Sequence, residues 1–389
     1  MVTVAGHAYP WDVVGDPSFP DRVRDLGLTG VTLAATYHST RAATPLHPRH
    51  QLVDARWAAL YRPVRDGVWA AHRLRPRAAA WMTEPDPFGV AADALRRAGI
   101  PVTAWIVLTH STRLGSAHPD LAVTNCFGES YPYALCPANP EVRDHAATLT
   151  AEAVRDAPVD AVSLEACGQL GLAHLGHHEK TDDAWTPDAA RLLSVCCCPG
   201  CRSEWRARGL DPDEVVDRLR AAVRAEAERG PGSAARPNPL PAPLTEHLAD
   251  ALLAARHAAA DALRTQVLGA LRQVLPDAPV TLHANPDPWA TGPSPGLTPT
   301  AAADVDALLV PAWPTAPGSA ETVRRAATTG RPVDAYVTVL PPAAPDALAE
   351  HVRRLRDAGA TRFSLYHLGL APAWRQRLFV DIIKAVQDD

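Results

Sequence analysis

Pro158–Gly168 reads PVDAVSLEACG, and the fold turns on how that stretch is taken. Asp160 marks an entry, Ala161–Leu164 is a short apolar run, and the run stops at Glu165. That is the form of a strand buried on both faces, as strands of a parallel sheet are. A carboxylate in such a place is costly to bury unless it is paired or used. The C-terminal end of a strand in a parallel barrel is also the face where active sites form.

Units of the same form recur on either side. Strands are expected at Val2–Ala8, Gly30–Thr36, Pro101–Leu108, Ala161–Glu165, Pro279–His283, Val305–Val310, Val333–Val339 and Arg362–Leu365, alternating with helical patterns. Eight strand-then-helix units in order predict an α/β fold, a (β/α)8 TIM barrel forming one domain over residues 1–389. Asn139-Pro140-Glu141 opens one of the helices, with Asn at the N-cap and Pro first inside. Long insertions follow strands two, three and four: a loop or lid at 39–80, a loop at 111–138, and the largest at 166–243. Loops of that length in a compact domain usually carry function.

Composition narrows the possibilities. Hydrophobic residues at 47% and charged residues at 21% fit a globular protein with ample core. A net charge of −5 argues against nucleic acid or an anionic membrane as partner. No apolar run is long enough to span a bilayer, and the first residues lack the basic, apolar pattern of a secretion signal. The expected location is cytoplasmic. There the seven cysteines read as metal ligands more readily than as disulfides.

Cys196-x-Cys198-x2-Cys201 places three thiols in six residues around a Pro-Gly turn, ahead of a helix start. Thiolates converging from a sharp bend are what tetrahedral zinc requires, and an all-thiolate site is closed and structural. The fourth ligand is expected from Cys126, with Cys136, Cys197 and the His177-His178 pair as alternatives. Such an ion would pin the 166–243 insertion.

A barrel in which Glu ends strand four and C-x-C-x2-C follows resembles the zinc-bearing β-galactosidases of glycoside hydrolase family 42. The resemblance covers the middle third of the chain. It implies a retaining glycosidase, often a trimer, with Glu165 as general acid/base and Cys126, Cys196, Cys198 and Cys201 as zinc ligands. Two positions depart from that pattern. Leu164 stands where the family has Asn before the acid/base, and strand seven, DAYVTVLPP, offers Tyr336 where the family has its nucleophilic Glu.

The strand ends supply the rest of a candidate site. Strand one leads to His7, Tyr9 and Asp12, strand two to Tyr37 and His38, and strand three carries Trp105 and leads to His110. Strand five leads to His283, Asn285 and Asp287, strand six to Trp313, strand seven carries Tyr336, and strand eight leads to Tyr366 and His367. Aromatic faces with polar rims suit a sugar ring, so a carbohydrate is the expected partner. Glycoside hydrolysis needs two carboxyl groups. Glu165 is expected as the acid and Asp287 as the second, with Asp12 as the other candidate.

Two further classes stay open. One is a sugar isomerase, epimerase or lyase with a divalent metal on Glu165, Asp287 and His283; the other is a carbohydrate-binding barrel without catalysis. Neither the dinucleotide fingerprint nor a P-loop is present, which argues against nucleotide-dependent chemistry.

Overall fold

Eight parallel strands close on one another in a computed structural model that describes residues 2–174, 180–181, 184–229 and 244–387. They are β1 (Thr3–Ala8), β2 (Gly30–Tyr37), β3 (Val102–Val107), β4 (Ala161–Glu165), β5 (Val280–His283), β6 (Ala307–Pro311), β7 (Val333–Thr338) and β8 (Ala360–Tyr366). Each pairs in parallel with its neighbour, and β1 pairs with both β2 and β8, which shuts the barrel. The expected fold is therefore the observed one. All eight residues of β2 are buried, as expected for a strand with side chains on one face and helices on the other.

The outer helices are α1 (Phe19–Asp25), α2 (Pro87–Arg97), α3 (Pro140–Val154), α4 (Glu246–Val274), α5 (Ala301–Asp304), α6 (Pro317–Ala327), α7 (Leu348–Asp357) and α8 (Ala373–Gln387). α2 is capped by Asp86, whose Oδ1 accepts the Gly89 N–H at 2.9 Å, with Pro87 first inside. α5 is a single turn because 285–300 holds five prolines, which withhold backbone donors. Asn139 does sit at the N-cap of α3, but its side chain makes no cap bond. Its amide instead points to Leu121 O at 3.5 Å and Cys198 Sγ at 3.8 Å.

The insertions have structure of their own. Residues 39–80 hold an antiparallel hairpin, Thr40–Ala43 with Leu52–Ala55, and a short strand Ala59–Leu60 that pairs antiparallel with the end of β2. The segment after β3 forms a second hairpin, Ala122–Thr124 with Ser130–Leu135. After β4 come helices Pro187–Leu193, Pro199–Ala207 and Pro212–Arg229, which share a separate apolar core with Trp205, Leu219 and Leu252. The His177-His178 pair and the Pro/Gly-rich 230–243 segment lie outside the described residues. No described helix is long and apolar enough to cross a membrane.

Candidate active site

Most barrel interiors are layers of Val, Ile and Leu; this one is polar. His7, Trp105, His283 and Tyr336 come from β1, β3, β5 and β7, alternate strands that supply one layer of four. His7 sits among the others, with ring centroids 4.8 Å from Trp105, 4.6 Å from Tyr336 and 6.4 Å from His283. Both its ring nitrogens are buried without a hydrogen-bond partner, a state that calls for a water or ligand. Beneath lie two hydroxyl contacts: Ser163 Oγ to His283 Nε2 at 2.9 Å, and Ser364 Oγ to Asp334 Oδ2 at 2.9 Å.

Glu165 ends β4 just above this layer and is 4% exposed. Its Oε2 accepts the Trp105 indole N–H at 2.8 Å and lies 3.6 Å from His283 Nδ1. Burial pushes its carboxyl up to about 8, against the Trp105 hydrogen bond that favours the charged form. Glu165 is therefore protonated at neutral pH. The chain leaves the barrel at once: Ala166 adopts φ 54°, in the left-handed region, at a cost of about 1 kcal/mol or more. The turn is held by Ala166 N–H to Pro293 O at 2.8 Å and by the Thr109 hydroxyl on Ala166 O at 2.8 Å.

Around Glu165 the predicted aromatic side chains do converge. Tyr37 packs edge-on to Trp105 at 4.7 Å, Trp313 stacks on Tyr366 at 4.8 Å, and Tyr9 stacks on His367 at 4.1 Å. Tyr9 Oη and Tyr366 Oη stand 3.3 Å apart. Burial pushes all four phenols, Tyr9, Tyr37, Tyr336 and Tyr366, above their ordinary value, so none is charged. The same desolvation holds His283 and His367 down to about 3.

Asp12 joins the group from the short helix after β1. Its Oδ2 accepts the Tyr9 N–H at 2.8 Å and stands 3.8 Å from His367 Nδ1, while Oδ1 is buried and unpartnered. Burial pushes Asp12 up to about 7. Asp12 and Glu165 both bear on the Tyr366 hydroxyl, each charge raising it. Gly369 lies directly against Asp12, where an added Cβ would come within 2.1 Å of the carboxyl. Gly369→Ala is expected to displace Asp12 and lower stability by about 1–3 kcal/mol. Gly318→Ala, at a helical glycine with open space, is the control. Equal melting temperatures for the two variants would contradict this packing.

Asp287 does not join the group. It is ion-paired with Arg191 of the insertion, and its Oδ1 accepts the Trp289 N–H at 3.0 Å. Asn285 is spent in the same turn, its Oδ1 accepting the Asp287 N–H at 3.0 Å. The expected partner of Glu165 is thus engaged by a guanidinium on the insertion, while Asp12 packs among the rings. Glu165, Asp287 and His283, expected as a divalent site, do not form a metal-ligating group among the described residues.

His38 and His110 form a rim beside Tyr37. His38 stacks on Tyr37 at 4.1 Å and on His110 at 4.2 Å. His110 Nε2 lies 3.2 Å from His174 Nε2, and His174 stacks on Tyr133 at 4.1 Å. Sequence reasoning missed His174, Tyr133, Ser163 and Asp334. Asp334 is buried on β7 and pushed up to about 7 by that burial. Its place two residues before Tyr336, on the same side of an alternating strand, was the available signal.

Among the described residues, one group brings thiols or other ligands within 4.8 Å of one another: Cys136, Cys196, Cys198 and Cys201. Cys198 caps helix Pro199–Ala207, Cys201 is in its first turn, and Cys136 Sγ is 3.6 Å from Cys201 Sγ. Hydrogen bonds from the other three thiols hold Cys198 well below the usual thiol range. The Thr124 N–H reaches Cys196 Sγ at 3.5 Å, and the Asn139 amide points to Cys198. Three buried thiols and the half-buried Cys201, with N–H donors around them, fit a tetrahedral metal ion.

The expected fourth ligand, Cys126, is corrected to Cys136. Cys126 sits in the turn of the 122–135 hairpin and packs with Cys197, Leu192 and Trp205 in the insertion's own core. Its thiol is pushed up to about 11 by burial. Cys136 leaves the far end of that hairpin, directly under the Pro-Gly turn.

No protein-family model and no curated protein sequence matches this chain. Solved structures do. The α-L-fucosidase isoenzyme 2 of Paenibacillus thiaminolyticus superposes with TM-score 0.61 at 13% identity, over 100% of this chain and 49% of the enzyme. A β-galactosidase from the haloarchaeon Halorubrum lacusprofundi gives 0.58 at 14%, over 100% of this chain and 58% of the other. The catalytic domain of a β-amylase from Paenibacillus polymyxa gives 0.56 at 12%, over 100% and 99%. This chain thus spans about half the fucosidase and rather more of the galactosidase. At such identities the likeness shows the fold: a (β/α)8 barrel of the kind these glycoside hydrolases use. The likeness to the β-galactosidases extends to the barrel.

Proposed function

We propose that the chain is a glycoside hydrolase acting on a small glycoside or oligosaccharide, with Glu165 as general acid and Asp12 as the second carboxyl group. One observation carries the reading. Glu165 stands at the C-terminal end of β4, buried among Trp105 and tyrosines, and keeps its proton up to about pH 8. A neutral carboxyl is what the glycosidic oxygen needs as it leaves, and the aromatic walls suit the C–H faces of a sugar. Asp12 is assigned the second role because its charge, like that of Glu165, acts on the Tyr366 hydroxyl and it has an oxygen without a partner. His7, whose nitrogens lack partners, would take sugar hydroxyls. The four thiols would hold a structural zinc ion that fixes the insertion and takes no part in the chemistry.

The test is a panel of aryl glycosides with graded leaving groups, galactosides first, on wild type and Glu165→Gln. For poor leaving groups kcat/KM is expected to fall about 10²–10⁴-fold in the variant, with much less effect on the best leaving group. The wild-type rate should decline above about pH 8 as Glu165 ionises. Equal rates for the two proteins would remove Glu165 from the mechanism.

A second reading, a carbohydrate-binding barrel without turnover, is favoured by one feature. The end of β7 presents a phenol, Tyr336, and Asp287 is held by Arg191. Sugars that raise the melting temperature of a protein with no turnover would support it.

A further inference from the structure

The β4–β5 register pairs Ser163 with Thr281 and Leu164 with Leu282, which sets His283 abreast of Glu165. The imidazole is fully buried between two groups of the neighbouring strand. Nε2 is 2.9 Å from Ser163 Oγ, and Nδ1 is 3.6 Å from Glu165 Oε2. The first distance is a hydrogen bond and the second is too long for one. His283 Nδ1 is therefore a buried nitrogen with no partner, poised next to a carboxyl oxygen. Such a group is expensive unless a partner arrives at some stage.

We propose that Ser163 and His283 form a buried relay that positions Glu165, with His283 Nδ1–H closing onto the carboxylate only after Glu165 has lost its proton. The proposal rests on Glu165 being the proton donor. In this proposal the Ser163 hydroxyl is assigned as the donor to Nε2, which puts the ring hydrogen on Nδ1, facing Glu165. As the glycosidic C–O bond breaks, its electron pair goes to the leaving oxygen, which takes the Glu165 proton, the anomeric carbon bonds to the Asp12 carboxylate or to a water that Asp12 deprotonates, and Glu165 is left as the carboxylate. Nδ1–H then forms a hydrogen bond to it, and no proton moves to the ring.

The surroundings leave little else for that role. The groups bearing on Glu165 are Tyr37 on β2, Trp105 on β3, His283 on β5, Tyr336 on β7 and Tyr366 on β8, with His7 on β1 packed edge-on against Trp105. Desolvation keeps these imidazoles and phenols uncharged at neutral pH. With no cation in that ring, the ionised carboxyl depends on N–H donors, and Trp105 already supplies one. A hydrogen bond made to the charged form alone stabilises the product of proton transfer without stabilising the resting acid.

The experiment follows the Glu165 carboxyl directly, by its infrared stretch across a pH titration, with Glu165→Gln as the spectral blank. In His283→Leu the midpoint is expected to rise tenfold or more in proton affinity, and in Ser163→Ala by a smaller factor. The alkaline limb of kcat/KM should rise with it, while KM stays near wild type. A purely packing role would lower the melting temperature of both variants and leave the midpoint in place, and that result overturns the proposal. Ser163→Ala removes one hydroxyl and keeps the test available should His283→Leu fail to fold. Absence of turnover in wild type would sink the hydrolase reading, yet the infrared midpoints would still decide whether His283 and Ser163 act on Glu165.

Discussion

Glu165→Gln is expected to melt higher than wild type above pH 8 and at nearly the same temperature below pH 4.5. The folded protein holds the Glu165 carboxyl at about 8, against 4.5 for the free group, because burial penalises the charge. Between those values the unfolded chain releases a proton that the folded chain retains. Stability present below pH 4.5 is thus lost as pH rises towards 8. Each tenfold difference in proton affinity is worth roughly 1.4 kcal/mol, so the loss is on the order of 5 kcal/mol. Glutamine keeps an acceptor for Trp105 and has no charge to bury.

Asp12 and Asp334, both raised from 3.8 to about 7, weaken wild type in the same direction. His283 and His367, lowered from 6.5 to about 3, act oppositely, since their contribution is lost as pH falls through that range. Melting curves of both proteins at half-unit steps from pH 4 to 9 are the check. Curves that run parallel throughout would mean that Glu165 is ionised in the folded state, and its role as resting acid would go.

The second large effect concerns the thiols. Cys136→Ser is expected to lose bound zinc on dialysis against a mild chelator, whereas Cys126→Ser keeps it. Structural thiolate sites contribute on the order of 10 kcal/mol of binding free energy at neutral pH. Cys196, Cys198 and Cys201 lie between the first two helices of the insertion and at the start of the second, so loss of the ion should open residues 187–229 to protease while the barrel strands stay protected. Metal content per chain and the position of the first cleavage are the two readouts. Zinc retained by Cys136→Ser and lost by Cys126→Ser would restore the assignment made from sequence.

What could be read in the chain follows from how local each signal is. A parallel barrel strand is an apolar run a few residues long, so all eight were visible in one dimension. Glu165 stood out because it breaks such a run. The fourth thiol of the group was misassigned because hairpin pairing decides it. Cys126 and Cys136 are ten residues apart, and only the 122–135 register shows which reaches the Pro-Gly turn. Asp287 was placed at the site because the turn NPDPW looks rigid, but its partner Arg191 is 96 residues away in sequence. Asn139 reads as an N-cap by position, and it is one, yet its amide serves Cys198. Asp334 went unnoticed because a polar residue inside a strand is easily taken for a surface one, and only the layering of the interior shows otherwise.

The strand Ser130–Leu135 has a consequence for how this protein can vary. It delivers Cys136 to the thiol group, and three residues earlier it presents Tyr133, the last ring of the series that runs from Tyr37 through His38, His110 and His174. A slip of one residue in that hairpin would turn both side chains to the wrong face together. Descendants of this gene are therefore not free to lose the cysteines and keep the histidine rim. The two should appear and disappear as one inherited trait, and a lineage that dispensed with the thiol group would have to rebuild the histidine rim as well.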